Sequence, residues 1–152
     1  MTLLHDNRLM ANPLSVGGRE AMSEALRRAD LPTDDLDEAG VRAFAFADRD
    51  GAIVGYGGLE IHRQHALMRS IVVEPSRRGR GEGRAIVDWL LAEASAHGAA
   101  RVYLLTTTAR AFFATLGFAA VARADAPAAI LATRQAAGLC AASAALMVKA
   151  LA

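Results

Sequence analysis

Six consecutive residues, Arg78, Gly79, Arg80, Gly81, Glu82 and Gly83, have the types and spacing to hold a phosphorylated ligand. Glycine carries no Cβ, so the backbone can turn tightly and approach a ligand closely. Unpaired N–H groups at the start of a helix, aided by the helix dipole, attract an anion. Arginine adds charge and a forked set of donors that matches phosphate. The chemistry implied is a pyrophosphate cradle. The same residues could form only a solvated loop capping a helix, so the flanking elements decide between the two.

Before the loop, residues 66–73 are apolar and β-branched (Ile71, Val72, Val73), and Glu74-Pro75 ends the run. That pattern predicts a strand. After the loop, Ile86, Val87, Leu90, Leu91 and Ala94 form one apolar stripe at helical period, which predicts a helix over 81–97 with Gly98 as its stop. A strand, a glycine loop and an amphipathic helix together favour the ligand-binding reading. Two other phosphate cradles do not fit. A Walker loop needs Gly-Lys-Ser/Thr at its end, and Gly83 is followed by Arg84-Ala85. A dinucleotide fingerprint is G-x-G-x-x-G with a later acid on the ribose, whereas this chain has G-x-G-x-G and ends its next strand in Leu104 and Leu105.

The remaining pattern, R/Q-x-x-G-x-G/A after an apolar strand closing in V-x-P, resembles the acetyl-CoA motif of the GCN5-related N-acetyltransferase (GNAT) superfamily. Arg78, Gly81 and Gly83 fill its fixed positions. A second stretch, Thr106-x-x-Ala109-x-x-x-Phe113-x-x-Leu116-Gly117-Phe118, is similar to the family's N-x-x-A-x-x-x-Y-x-x-x-G-F segment. The resemblance implies that Ile71, Val72 and Val73 pair with the pantetheine arm of acetyl-CoA. It also implies that Thr106 and Phe113 line that arm, and that the sheet is split by the cofactor. Phe113 stands where many relatives carry the tyrosine that protonates the departing thiolate. Thr106 replaces a common asparagine. Leu67 occupies the place of the base glutamate of histone-acetylating members.

A base with a pKa near neutrality best frees the attacking amine. Glu60 is the candidate, directly or through water, followed by His62 and His65; each could equally be a surface residue. Arg69 lies inside an apolar strand, where an unpaired charge is expensive to bury. Strict alternation puts it on the face of Leu67 and Ile71. It either forks onto a substrate carboxylate or pairs with Glu60.

The chain has 152 residues, which suits a single domain over 1–152. Alanine is abundant, so a core of small side chains is expected. A net charge of +1 gives no reason to expect nucleic acid. One cysteine, Cys140, excludes an internal disulfide and a multi-cysteine metal site, so no metal is expected. No apolar run reaches about 18 residues, and the N-terminus lacks a basic start, so a cytoplasmic protein without membrane or signal segment is expected. A homodimer is left open. The expected elements are strands at 7–11, 41–48, 53–61, 66–73, 101–106, 118–123 and 144–151. Helices are expected at 19–29, 33–39, 81–97, 109–116 and 127–137. Asp50-Gly51 signals a hairpin, and Gly55, Gly57 and Gly58 a weakened strand or a bulge. That order resembles the GNAT fold: α/β (α+β), a mixed, mostly antiparallel sheet of about six or seven strands with helices on both faces.

LPTDDL at 31–36, YLLTTTARAFFATLGF at 103–118 and the tail LCAASAALMVKAL resemble the small N-acetyltransferases named for arsenic-resistance operons. The resemblance implies acetyl transfer to a small amine, amino-acid-like or arsenic-related. The alternative is a non-catalytic module that binds acyl-CoA or senses a metalloid.

Overall fold

The computed structural model describes residues 9–139 and 143–151. Strand β1 (Met10–Leu14) and helix α1 (Glu20–Arg28) come first. A meander follows, of β2 (Arg42–Ala47), β3 (Ile53–His62) and β4 (His65–Val73). After a 3-10 turn (Pro75–Arg77) come α2 (Glu82–Ala96), β5 (Arg101–Thr106), α3 (Arg110–Thr115) and β6 (Ala119–Ala120). The chain closes with α4 (Ala128–Leu131), a π-helical turn (Gln135–Leu139) and β7 (Ala145–Ala150). The seven strands form one sheet in the order β1-β2-β3-β4-β5-β7-β6. Every neighbouring pair is antiparallel except β4 and β5. This is the mixed α+β architecture expected.

The core has two faces. On one, α2 packs Ile86, Trp89, Leu90 and Ala94 against Val54, Leu59, Met68 and Val102. Its centre is aromatic: Trp89 meets Phe44 edge-on at 4.8 Å and Phe46 at 5.4 Å. The expected core of small side chains is therefore corrected. In β2, Ala43 and Ala45 face α1, while Phe44 and Phe46 pack on Trp89. On the other face, α1 packs Met22, Ala25 and Leu26 against Ala43, Ala45, Tyr56 and Val72. No helix among the described residues is long and apolar enough to cross a membrane.

Several boundaries differ from expectation. The first strand is Met10–Leu14 rather than 7–11; Asn7 and Arg8, like Cys140, lie outside the described residues. Residues 33–39 form successive turns, not a helix, with Leu36 N–H on Thr33 O and Glu38 N–H on Asp35 O. The cause is Asp35, which turns inward instead of facing water and is only 2 % exposed. The expected strand at 118–123 shortens to Ala119–Ala120, an edge pair on β7. The helix at 127–137 stops at Leu131 because the Thr133 hydroxyl donates to Ile130 O (2.7 Å) and accepts from Ala136 N–H (3.3 Å), competing with the helical ladder.

The glycines of β3 are explained by contact. A Cβ on Gly55 would lie 2.3 Å from Val72 O, and one on Gly57 would lie 2.8 Å from Leu90 Cδ1. The register slips between Tyr56 and Gly58, because Ser70 and Ile71 of β4 share the place opposite Gly57. Ser70 there has φ +59°. This bulge changes which residues share a face. Arg69 keeps the face of Leu67, but Ile71 packs with Met68 against the α2 core. The alternation that grouped Arg69 with Ile71 is thus corrected by one extra residue.

Candidate active site

Strands β4 and β5 pair at only three positions, His65↔Arg101, Ala66↔Val102 and Leu67↔Tyr103. Beyond them the strands part. β5 remains paired with β7 as far as Thr106↔Ala145, and β4 with β3 as far as Val73↔Gly55. The two inner edges, residues 68–73 and 104–106, therefore flank an opening in the sheet. Backbone N–H and C=O groups on such edges need partners from elsewhere. The opening widens into a cleft of about 840 Å³, lined by both edges, by the loop before α2 and by Phe112 and Phe113.

The glycine loop closes one end of this cleft. Gly79 and Gly81 have φ +80° and +79°, a region that strains any residue with a Cβ. Gly81 is also the residue from which α2 starts, so the first N–H groups of a 15-residue helix sit at the cleft. A Cβ at Gly83 would make only ordinary contacts, 3.5 Å to Phe112 Cζ and 3.6 Å to Val73 Cγ2. The protein's own atoms do not force glycine there; its absence of a side chain leaves the backbone open to the cleft. Arg78 and Arg84 line the same end, with Arg78 Nε donating to Val73 O at 3.4 Å. Arg77 is tied to Asp48 by an ion pair. Glu82, 5 % exposed, belongs to the same wall. Donors, positive charge and the free edges of β4 and β5 suit a long ligand with an anionic end, as acetyl-CoA is.

Thr106 and Phe113 stand on the β5 side. The Thr106 hydroxyl accepts from Ala109 N–H at 2.9 Å and starts the turn into α3, which leaves its own hydrogen to donate. Phe113 is 8 % exposed and meets Phe112 and Phe118 edge-on at 5.1 and 5.7 Å. It supplies an apolar wall and no proton.

Arg69 lines the cleft but its fork points into protein. Nη1 and Nη2 donate to the two oxygens of Asp35 at 2.5 and 2.6 Å. Nη1 also donates to Glu60 Oε2 at 2.8 Å, and Nε to Ser70 Oγ at 3.1 Å. Of the two readings of Arg69, the buried pair has the geometry, and its main partner is Asp35. Burial works against the Arg69 charge, but hydrogen bonds to Asp35 and Glu60 outweigh it and raise its pKa. Burial likewise pushes the Asp35 carboxyl up, and Arg69 with Gln135 more than offsets this, leaving it below the ordinary value.

Glu60 stands behind Arg69 and not on the cleft wall. Its second oxygen faces His62 Nε2 at 3.3 Å. His62 and His65 flank the β3–β4 turn, at the end of β4 where it is paired with β5, away from the opening. His65 packs edge-on against Tyr103 at 5.9 Å. The cleft thus gathers the glycine loop apart from Arg80, with Ile71, Val72, Val73, Thr106, Phe113 and Arg69, and leaves the candidate bases outside.

Sequence reasoning missed Asp35, Ser70 and Gln135. A buried arginine in a strand requires an acid, and that was the available signal. Its partner lies 34 residues away in a stretch rich in acids, so spacing could not single out Asp35.

Known proteins resemble this chain in sequence and in fold. The family model described as "Acetyltransferase (GNAT) family" matches residues 10–118. The mycothiol acetyltransferase of Nocardia farcinica is 36% identical over 83 residues, covering 54% of this chain and 27% of that protein. The chain thus spans about a quarter of the length of that curated relative. Among solved structures, the N-acetylglutamate synthase of Neisseria gonorrhoeae, complexed with coenzyme A and N-acetyl-glutamate, superposes with a TM-score of 0.78 at 15% identity. The match covers 97% of this chain and 36% of that one. Rv2747 of Mycobacterium tuberculosis, in complex with CoA and NLQ, gives 0.74 at 20% identity, covering 93% and 99%. These structural likenesses establish the fold.

Proposed function

The chain belongs to the GNAT acetyltransferase family, and on that footing we propose that it transfers the acetyl group of acetyl-CoA to a small-molecule amine within a ternary complex. One observation carries this reading: β4 and β5 separate after Leu67 and Tyr103, directly beside the glycine loop. The N–H groups of Arg78, Gly79, Arg80, Gly81, Glu82 and Gly83 hold the pyrophosphate. The open edge of Ile71, Val72 and Val73 pairs with the pantetheine amides, and the Thr106 hydroxyl adds a donor from the facing strand.

Acetyl-CoA supplies an activated acyl group and a thiolate that can leave without a dedicated acid, which suits the phenylalanine at 113. Phe113 adds an apolar wall to the cleft. The acceptor must lose a proton before it attacks. Both Glu60 oxygens are engaged by Arg69 and His62, so any part it plays in removing that proton runs through water.

The finer reading is an amino-acid-like or arsenic-related amine. It is supported by the three segments that resemble the arsenic-operon group, at 31–36, 103–118 and 139–151. The test is thiol release from acetyl-CoA across a panel of amino acids, polyamines, aryl amines and arsenic-bearing analogues. Protein-dependent release with at least one of them is expected. Binding of acetyl-CoA with release from none would favour a non-catalytic binding module.

A further inference from the structure

We propose that Arg69 is a positioning residue that latches two covering segments onto the bulge of β4 and thereby sets the acceptor wall of the cleft. The inference rests on the acetyl-transfer reading. If the glycine loop takes the anionic end of the cofactor, the acceptor meets the other end of the cleft. Leu31, Pro32, Ser70 and Gln135 line the cleft outside that loop, and they are the walls left for the acceptor. These residues come from three separate parts of the chain, and none is held there by the sheet ladder alone.

One carboxylate joins them. Asp35, 2 % exposed, accepts two bonds from Arg69 and a third from Gln135 Nε2 at 3.3 Å. The loop carrying Leu31 and Pro32 and the π-helical turn carrying Gln135 are thus pinned to β4 through the same group. Arg69 also donates to Ser70 Oγ, on the residue whose φ of +59° makes the bulge. Glu60 holds the guanidinium from behind at 2.8 Å.

Two further contacts secure the same segments. Arg19, 5 % exposed, donates Nη1 to Leu36 O at 2.7 Å, and Nε and Nη2 to Leu14 O, so the residue after Asp35 is fixed from the β1 side. Arg134 and Glu38 form an ion pair between the π-helical turn's approach and the loop.

A buried ion pair is a poor device for stability, because apolar residues of similar volume often serve as well. It is a good device for direction. A guanidinium is a rigid planar fork with donors on three sides, and a lysine ammonium is not. The arrangement gives loop, bulge and π-helical turn one shared register. An acceptor amine held by those walls is then presented at a fixed distance from the opening between β4 and β5. Displacement of such a wall by about 1 Å costs up to 10²-fold in rate.

The experiment compares wild type with Arg69→Lys, Asp35→Asn and the apolar replacement Asp35→Leu/Glu60→Gln/Arg69→Met. The acceptor is the panel amine that wild type uses best. Asp35→Asn and Arg69→Lys should raise the acceptor KM by about tenfold or more, with the acetyl-CoA Kd within about twofold, since the glycine loop shares no partner with the latch. The triple replacement should recover melting temperature but not the acceptor KM. Amide exchange should quicken in Asp35→Asn at 31–40, 135–139 and Ser70 together, with α2 unchanged. Recovery of the KM along with stability in the triple variant would overturn the proposal. So would exchange that quickens at 31–40 alone. Should wild type use no amine, the acetyl-transfer reading fails, and the exchange pattern still decides whether the latch exists.

Discussion

Replacing Arg69 by leucine tests the electrostatic account of this site. The variant removes two bonds to Asp35, one to Glu60 and one to Ser70, with the guanidinium side chain only 1% exposed. Asp35, at 2% side-chain exposure, would keep its burial and lose the cation that balances it. Breaking a buried pair in this way costs about 3–5 kcal/mol. For a domain of this size each kcal/mol moves the melting temperature by about 2–4 °C, so a loss of about 6–20 °C is expected at pH 7. The effect also has a sign in pH. In wild type the folded Asp35 pKa lies below its ordinary value of 3.8. Its contribution is therefore present above that value and is lost as pH falls through the depressed folded pKa. In the variant, burial is no longer offset, so the folded pKa rises above the unfolded one. Acid then neutralises a stranded carboxylate, and the variant's deficit should shrink between pH 7 and about pH 4. Urea unfolding of both proteins across that range reads this directly. A deficit below about 1 kcal/mol at pH 7, or one that is the same at every pH, would refute the reasoning.

Four further variants probe other parts. Gly81→Val places a branched side chain where φ is +79°, and it should abolish acetyl-CoA binding in calorimetry while α2 keeps its helicity by circular dichroism. Gly55→Ala would set a Cβ 2.3 Å from Val72 O and should cost about 1–3 kcal/mol in urea unfolding, because backbone must move. Its counterpart Gly57→Ala meets side chains rather than backbone, Leu90 Cδ1 at 2.8 Å, Ile86 Cγ2 at 3.3 Å and Phe46 Cε2 at 3.4 Å, and should cost less. Glu60→Gln should lower kcat at neutral pH, with recovery at alkaline pH, if Glu60 draws the amine's proton through water; an unchanged pH profile removes it as a base.

The elements that carry the glycine loop were legible because each is local. The Ile86, Leu90 and Ala94 stripe needs only its own helix to be read, and all three are fully buried on β3 and β4. The glycines of the loop signalled positive φ by their type, and Gly79 and Gly81 have it. What escaped is decided by distant partners. Asp35 faces inward because Arg69 is there, which turns an apparent short helix into successive turns. The grouping of Arg69 with Ile71 failed because a bulge is a disagreement between two strands, visible only once β3 is laid against β4. The alanine-rich stretch at 127–137 has no period to read, and one threonine hydroxyl ends its helix. Glu60, His62 and His65 stand out in the sequence only by residue type and by their nearness to a strand end. Their separation from the cleft follows from where the β3–β4 turn lies relative to the parting of β4 and β5.

The central claim is that the opening between β4 and β5, beside the glycine loop, holds the cofactor. A crystal structure of the protein grown with acetyl-CoA tests it most directly. The account predicts the diphosphate within hydrogen-bond distance of the backbone N–H groups of residues 78–83, and the pantetheine arm lying between Ile71, Val72 and Val73 on one side and Thr106 on the other. Acetyl-CoA bound elsewhere, or β4 and β5 joined by hydrogen bonds beyond Leu67 and Tyr103 in that crystal, would contradict it.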